Sequence, residues 1–304
     1  MRFRLPGLRW GQFFSRVYNA IWDDAVFGRS AQLSYYFLLS IFPLMLLLTA
    51  VLGLFAEPGT EIYYALMGYI RRAAPGAAGT LLGNILTEVT QGARGFLVSV
   101  GALTALWSAS AGMRAIMAGL NAAYNVPEAR VWWRGVIVSI VLTVAVSALM
   151  VVALVTLIWG GRIGVWMADR FGLGALFETT WSLLHWPLLL AFLFLAFMLV
   201  YRYAPNVRAR KWGWNAPGAL VGIGLWLLVS FGLRIYIGRF ADFNRLYGSL
   251  GAVIILMLWL YLSGAAILIG GEVNGVIADA AARAGEKEAE VHRGDEPESP
   301  PRAA

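Results

Sequence analysis

Between Gly135 and Gly161 the chain reads GVIVSIVLTVAVSALMVVALVTLIWGG, a run without a single Asp, Glu, Lys or Arg. Apolar and polar residues do not alternate along it, so it lacks the solvated face of a half-buried strand. Trp132 and Trp133 stand just before the run and Trp159 near its end. That interval is roughly 26 residues, or about 39 Å of helix, close to the distance between the two headgroup layers of a bilayer. Lipid offers no partner for a backbone N–H or C=O, so a segment immersed in it has to be helical. A porin-like barrel would show segments of about ten residues with strict alternation instead.

Five further stretches share this character: Ser30–Ala56, Gly95–Met113, Thr179–Tyr201, Trp212–Leu233 and Leu246–Gly271. The sequence therefore predicts an all-α integral membrane protein, a bundle of six transmembrane helices. Composition agrees. Of 304 residues 60% are apolar and 13% charged, against roughly 45–50% and about 25% in soluble domains, and the mean hydropathy is +0.69. The net charge of +7 is spread in small clusters between apolar runs, which argues against a nucleic-acid surface and for the membrane use of Lys and Arg. The amino-terminal segment, the 114–134 and 202–211 connections and the carboxyl tail hold 5, 3, 4 and 4 basic residues. The alternate connections, 57–94, 162–178 and 239–245, hold 3, 2 and 2. This asymmetry places both termini in the cytoplasm.

Outside the runs three regions differ. Residues 11–29 put Phe13, Phe14, Val17 and Ile21 on one helical face, the pattern of an interfacial helix leading into the first span. The 57–94 connection has apolar residues at helical spacing on both sides of Pro75-Gly76, which predicts short amphipathic helices in the outer loops, with another near 160–180. From Ala278 the apolar character fades. The expected organisation is thus 1–29, a cytoplasmic segment with the interfacial helix; 30–277, the transmembrane domain; and 278–304, a disordered cytoplasmic tail.

Ionisable residues at span ends are the first candidates for function, because burying them in hydrocarbon is costly. Arg114, Arg202 and Glu272 fall at cytoplasmic ends, with Asn121, Glu128 and Asn274 nearby along the chain. Brought together, Arg114, Asn121, Arg202, Glu272 and Asn274 would form a polar cavity with Glu272 paired to an arginine; held apart, the arginines snorkel to headgroups and Glu272 is solvated. Arg234, followed by Arg239, is the candidate contact for an anion or lipid headgroup, with an ion pair to Asp242 as the other reading. Pro43 predicts a kink in the first span. His185, beside Trp186 and Pro187, reads as an interfacial anchor. Gly218-x-x-x-Gly222 allows helix backbones to approach closely.

Catalytic motifs for metalloproteases, α/β-hydrolases and phosphate-loop enzymes are missing. With no cysteine and two histidines, a zinc site would need an unusual ligand set. The expectation is a protein without enzymatic activity, cofactor or resident metal. Membrane lipids are the expected partners, with an envelope protein or a second copy of the chain as further ones.

Several blocks resemble one family. Ala31-Gln32-Leu33-Ser34-Tyr35-Tyr36-Phe37-Leu38-Leu39-Ser40-Ile41-Phe42-Pro43 is similar to the first-span signature of the YihY/BrkB family of bacterial inner-membrane proteins. Trp107-Ser108-Ala109-Ser110, Gly119-Leu120-Asn121-Ala122-Ala123-Tyr124, Tyr201-Arg202-Tyr203-Ala204-Pro205, Tyr247-Gly248-Ser249-Leu250-Gly251 and Gly270-Gly271-Glu272-Val273-Asn274 resemble its later blocks. The resemblance implies six spans, cytoplasmic termini and the bacterial inner membrane. It supplies no catalytic set: some members were once labelled ribonuclease BN, and others carry a virulence label. Two functions follow as expectations, a transporter or flippase-like protein for an anionic lipid or small molecule, and a structural or partner-binding envelope protein.

Overall fold

The computed structural model describes residues 9–53, 64, 68, 95–171, 174–207, 212–240 and 250–283. All regular structure among them is helical. In chain order the helices are α1 (Trp10–Asp23), α2 (Val26–Gly53), α3 (Gly95–Ala123), α4 (Trp132–Phe171), α5 (Gly174–Tyr203), α6 (Ala216–Phe240) and α7 (Leu250–Arg283), with a 3₁₀ turn at Trp212–Asn215 before α6. Two compact units are present: Met1–Ser34 with Ala115–Ala304, and Tyr35–Arg114.

Four stretches of the described residues are long and apolar enough to cross a membrane: Trp132–Ala153, Trp186–Tyr203, Gly213–Ile237 and Val253–Arg283. The first two apolar runs lie on α2 and α3, of 28 and 29 residues. Within the larger unit α4 packs on α5, α5 on α6, and α6 on α7, while α1 lies against α7. The 57–94 connection, with its expected amphipathic helices, falls outside the described residues apart from Tyr64 and Gly68.

Helices outlast the apolar runs that announce them. α4 continues through Gly160-Gly161 and Arg162 to Phe171 as one helix of 40 residues, so no separate helix begins near 160. Two glycines each cost roughly 1 kcal/mol relative to alanine, which a long helix without a proline absorbs. α7 likewise continues past Ile277 to Arg283, and Ala278, Ala280 and Ala281 are buried. The expected boundary at 278 is therefore too early. Alanine reads as a loss of apolar bulk, yet it is the best helix former and fits a close contact. α2 starts at Val26, four residues before the first run, and passes through Pro43 to Gly53.

The amino-terminal helix packs three of the four residues that the sequence puts on one face, Phe13, Val17 and Ile21, and leaves Phe14 off it. Phe13 and Val17 are buried with Val273, Val276 and Ile277 of α7, and Ala20, Ile21 and Trp214 pack around them. Phe14 instead joins Trp10, Tyr18 and Trp22 on the exposed side. One residue of difference decides it, since residues at i and i+4 share a face while neighbours do not.

The seam between α6 and α7 is built on absent side chains. A Cβ on Gly218 would collide with the Gly270 carbonyl oxygen and the Asn274 side chain. One on Gly222 would stand 2.8 Å from the Tyr201 hydroxyl. The Gly218–Gly222 spacing thus serves packing inside the chain. Farther along the seam Trp226 and Trp259 meet at 6.1 Å, and Trp259 Nε1 donates to Ser230 Oγ at 3.1 Å.

Candidate functional site

α1 and α2 are joined by a two-residue corner, Asp24-Ala25. Ala25 adopts φ 50°, a left-handed conformation that costs an ordinary residue about 1–2 kcal/mol. Asp24 N–H donates to Ala20 O at 3.0 Å and Ala25 N–H to Trp22 O at 3.1 Å, closing the end of α1. Arg29 Nε donates to Asp24 O at 2.8 Å from the first turn of α2. The corner is held from both sides and carries the Asp24 carboxyl toward α7.

There it faces Glu272, which is 1% exposed. The two carboxyls lie close enough to bear on one another, and the Arg29 guanidinium acts on both. Two neighbouring carboxylates do not both ionise freely, so the arrangement favours a proton held on the pair. Burial pushes the Asp24 carboxyl above its ordinary range; the Arg29 guanidinium pulls it back, and Asp23 adds to the rise. The pair borders a cavity of about 300 Å³. Arg16, Asn19, Asp23 and Asp24 line it from α1 and the corner, Asn125 from the turn after α3, and Glu272, Asp279 and Arg283 from α7. Asn125 is the second left-handed residue, at φ 52°.

Of the five residues expected to form one polar cavity, Glu272 lines this one. The acid that neighbours it is Asp24. Asn274, two residues along α7 and equally buried, is a clamp: its Oδ1 accepts from Gly218 N–H at 2.8 Å and its Nδ2 donates to Asn215 O at 3.2 Å. The first turn of a helix leaves N–H groups without intrahelical partners. Pro217 has none to satisfy, and Asn274 supplies the partner for Gly218. Asn121 ties the end of α3 to the segment after α5: its Nδ2 donates to Glu128 Oε2 at 2.8 Å, and its Oδ1 accepts from Asn206 N–H at 2.7 Å. Arg130 donates to the carbonyls of Ala204 and Pro205 at 3.0 and 2.6 Å, capping the same segment.

Arg202 is half-buried, its guanidinium 5.6 Å from the centre of the Tyr203 ring. In the smaller unit Arg114 donates to Ser110 Oγ at 2.7 Å and lies 5.5 Å over Trp107. Arg234 is exposed on α6, which continues past it to Phe240. The side chains of Pro43, His185 and Arg239 lie outside the described residues. Asp24, Arg16 and Arg283 were missed as site residues. The available signal was the Asp23-Asp24 pair, which the sequence reading expects on the same side as Glu272. Among the described residues no group of three or more His, Asp or Glu is placed to hold a metal ion.

A family model, virulence factor BrkB, matches residues 17–294. The chain belongs to the virulence factor BrkB family. This BrkB-family membrane protein is 37% identical over 253 residues to the ribonuclease-like protein YfkH of Bacillus subtilis (strain 168), covering 82% of this chain and 89% of that one. It is 27% identical over 288 residues to a UPF0761 membrane protein of Xanthomonas oryzae pv. oryzae (strain PXO99A), covering 91% of this chain and 63% of the relative. With the UPF0761 membrane protein of Xanthomonas campestris pv. campestris (strain 8004) the identity is 28% over 283 residues, 90% of this chain and 61% of the relative. The BrkB-family chain thus spans less than two thirds of the Xanthomonas proteins. No solved structure matches it.

Proposed function

We propose that this BrkB-family protein is a six-span bacterial inner-membrane transporter, flippase-like in action, for an anionic lipid or small molecule in envelope homeostasis. α2 and α3 supply the two spans beyond the four stretches that meet the criteria of length and apolarity. Both termini face the cytoplasm, as the excess of Lys and Arg in the amino-terminal, 114–134, 202–211 and carboxyl-terminal segments supports. The chain divides into the amino-terminal segment, the transmembrane domain and a cytoplasmic tail.

The observation that carries the reading is the cavity at the α1–α2 corner, where a buried carboxyl on a membrane helix borders open polar space. An ionisable group held that way is costly, and membrane proteins place such groups along substrate and ion pathways. Arg16 and Arg283 on its walls suit the anionic part of the cargo. Arg234, exposed on α6, suits a headgroup at the opposite side of the bilayer, as does Arg239 along the same helix. A structural or partner-binding role draws support from the aromatic face of α1.

Reconstitution into liposomes with headgroup-labelled lipids tests the transporter. Transfer of label faster than in protein-free vesicles is the expected result, slowed by Glu272→Gln. Transfer at the protein-free rate across a broad panel of lipids would leave the structural role as the better account.

A further inference from the structure

The cavity has a charge pattern that a simple anion does not satisfy. Four carboxyls reach it, from Asp23, Asp24, Glu272 and Asp279, against the guanidinium groups of Arg16 and Arg283. The charged groups that act on Glu272 are another acid, Asp24, and the Arg29 guanidinium. Arg29 approaches both, but its Nε is committed to the Asp24 carbonyl oxygen. Glu272 is 1% exposed and lines the cavity, and among the described residues no hydrogen bond from a cationic side chain to its carboxyl is seen. The left-handed Ala25 shows that the corner presenting Asp24 is held in a costly conformation.

We infer that the cavity binds a primary ammonium group between Asp24 and Glu272, with the phosphate of the same molecule on Arg16 and Arg283. The ligand class is a zwitterion of ammonium and phosphate, either as a free phosphoamine or as the headgroup of an aminophospholipid. A primary ammonium offers three N–H donors, enough to bond both carboxyls at once and remove their need to share a proton. Binding therefore releases that proton to solvent, and affinity rises with pH as the pair gives it up. Among the described residues Arg29 and Asp23 also act on the pair, and Arg16, Asp279 and Arg283 line the cavity beside it. At about 300 Å³ the space is at the small end of ligand pockets, which run from roughly 300 to 1,000 Å³, so it suits a headgroup rather than acyl chains.

This inference rests on the transporter's site but not on transport, so equilibrium binding separates the two. The test is calorimetry of the full chain in detergent, with phosphoethanolamine, phosphocholine and glycerol 3-phosphate as probes, repeated in buffers of different ionisation enthalpy. Phosphoethanolamine should bind at least about tenfold tighter than the other two, the contribution of a charge-assisted hydrogen bond, with proton release. Glu272→Gln and, separately, Asp24→Asn should each remove that preference while leaving phosphate binding in place. In a second arm, nanodiscs of phosphatidylethanolamine should raise the melting midpoint above that in phosphatidylglycerol for the wild type and not for Glu272→Gln. A response in this arm alone identifies the lipid as the source; a response in both shows that the headgroup suffices. Equal affinity for glycerol 3-phosphate and phosphoethanolamine would overturn the ammonium assignment while sparing an anionic cargo. A phosphoethanolamine preference unchanged in both variants would overturn it as well.

Discussion

Glu272 and Asn274 are two residues apart on α7 and equally hidden, each 1% exposed, yet they belong to regions built on opposite terms. On the side of Asn274 the seam with α6 is closed: glycines let the backbones touch, and both ends of the amide are bonded across the seam. On the side of Glu272 the wall opens on a cavity, and the carboxyl meets another carboxyl across a corner with a left-handed alanine. A buried polar group whose bonds are all made holds architecture together. One left facing its own kind is held by the fold for another purpose.

The contrast breaks first at the seam. Gly218→Ala drives a methyl into the Gly270 carbonyl and Asn274, and should cost above about 3 kcal/mol, beyond the usual range for overpacking. Loss of the folded species in size-exclusion chromatography or a large drop in melting midpoint in detergent would register it; an unchanged midpoint would mean the seam is looser than described. Next comes the contact of α1 with α7, which frames the cavity. Phe13→Ala should cost about 3 kcal/mol, whereas Phe14→Ala, exposed one position away, should stay within about 0.5 kcal/mol in detergent. Equal losses would restore the single face that the sequence suggested.

What the sequence showed and what it hid follow from range. The absence of charge between Gly135 and Gly161 is a local property, and it announced a membrane helix directly. Helix ends were less visible, because alanines after Ile277 and glycines before Arg162 weaken apolarity without breaking a helix. Glu272 was visible as an ionisable group at a span end. Its partner was not, since Asp24 reaches it only through a corner whose direction depends on Ala25 entering a conformation that no residue type there advertises. Asn274 looked like a cavity residue for the same reason: its bonds to Gly218 and Asn215 join positions more than fifty apart.

Two smaller effects sharpen the cavity side. Asp24 binds its proton more tightly in the fold than in the unfolded chain, where its pKa is about 3.9. The resulting stability is fully present below that value and is lost as pH rises through the folded one. Melting midpoints should therefore fall as pH is raised through the weakly acidic range, and Asp24→Asn should flatten the fall; a midpoint that rises there would contradict the burial of this carboxyl. Ala25→Gly should stabilise by about 1 kcal/mol, because glycine enters the left-handed region without steric cost. A lower midpoint would show that the corner is not strained.

The most direct measurement sets the two neighbours side by side, as melting midpoints of Glu272→Gln and Asn274→Ala in one detergent at neutral pH. Removing the Asn274 amide strands an N–H and a carbonyl in the closed seam and should cost about 2 kcal/mol or more. Replacing the Glu272 carboxyl with an uncharged amide should leave the midpoint equal to or above that of the wild type. A Glu272→Gln protein that melts as low as Asn274→Ala would make Glu272 one more strut of the bundle, and the cavity beside it would lose its claim to function.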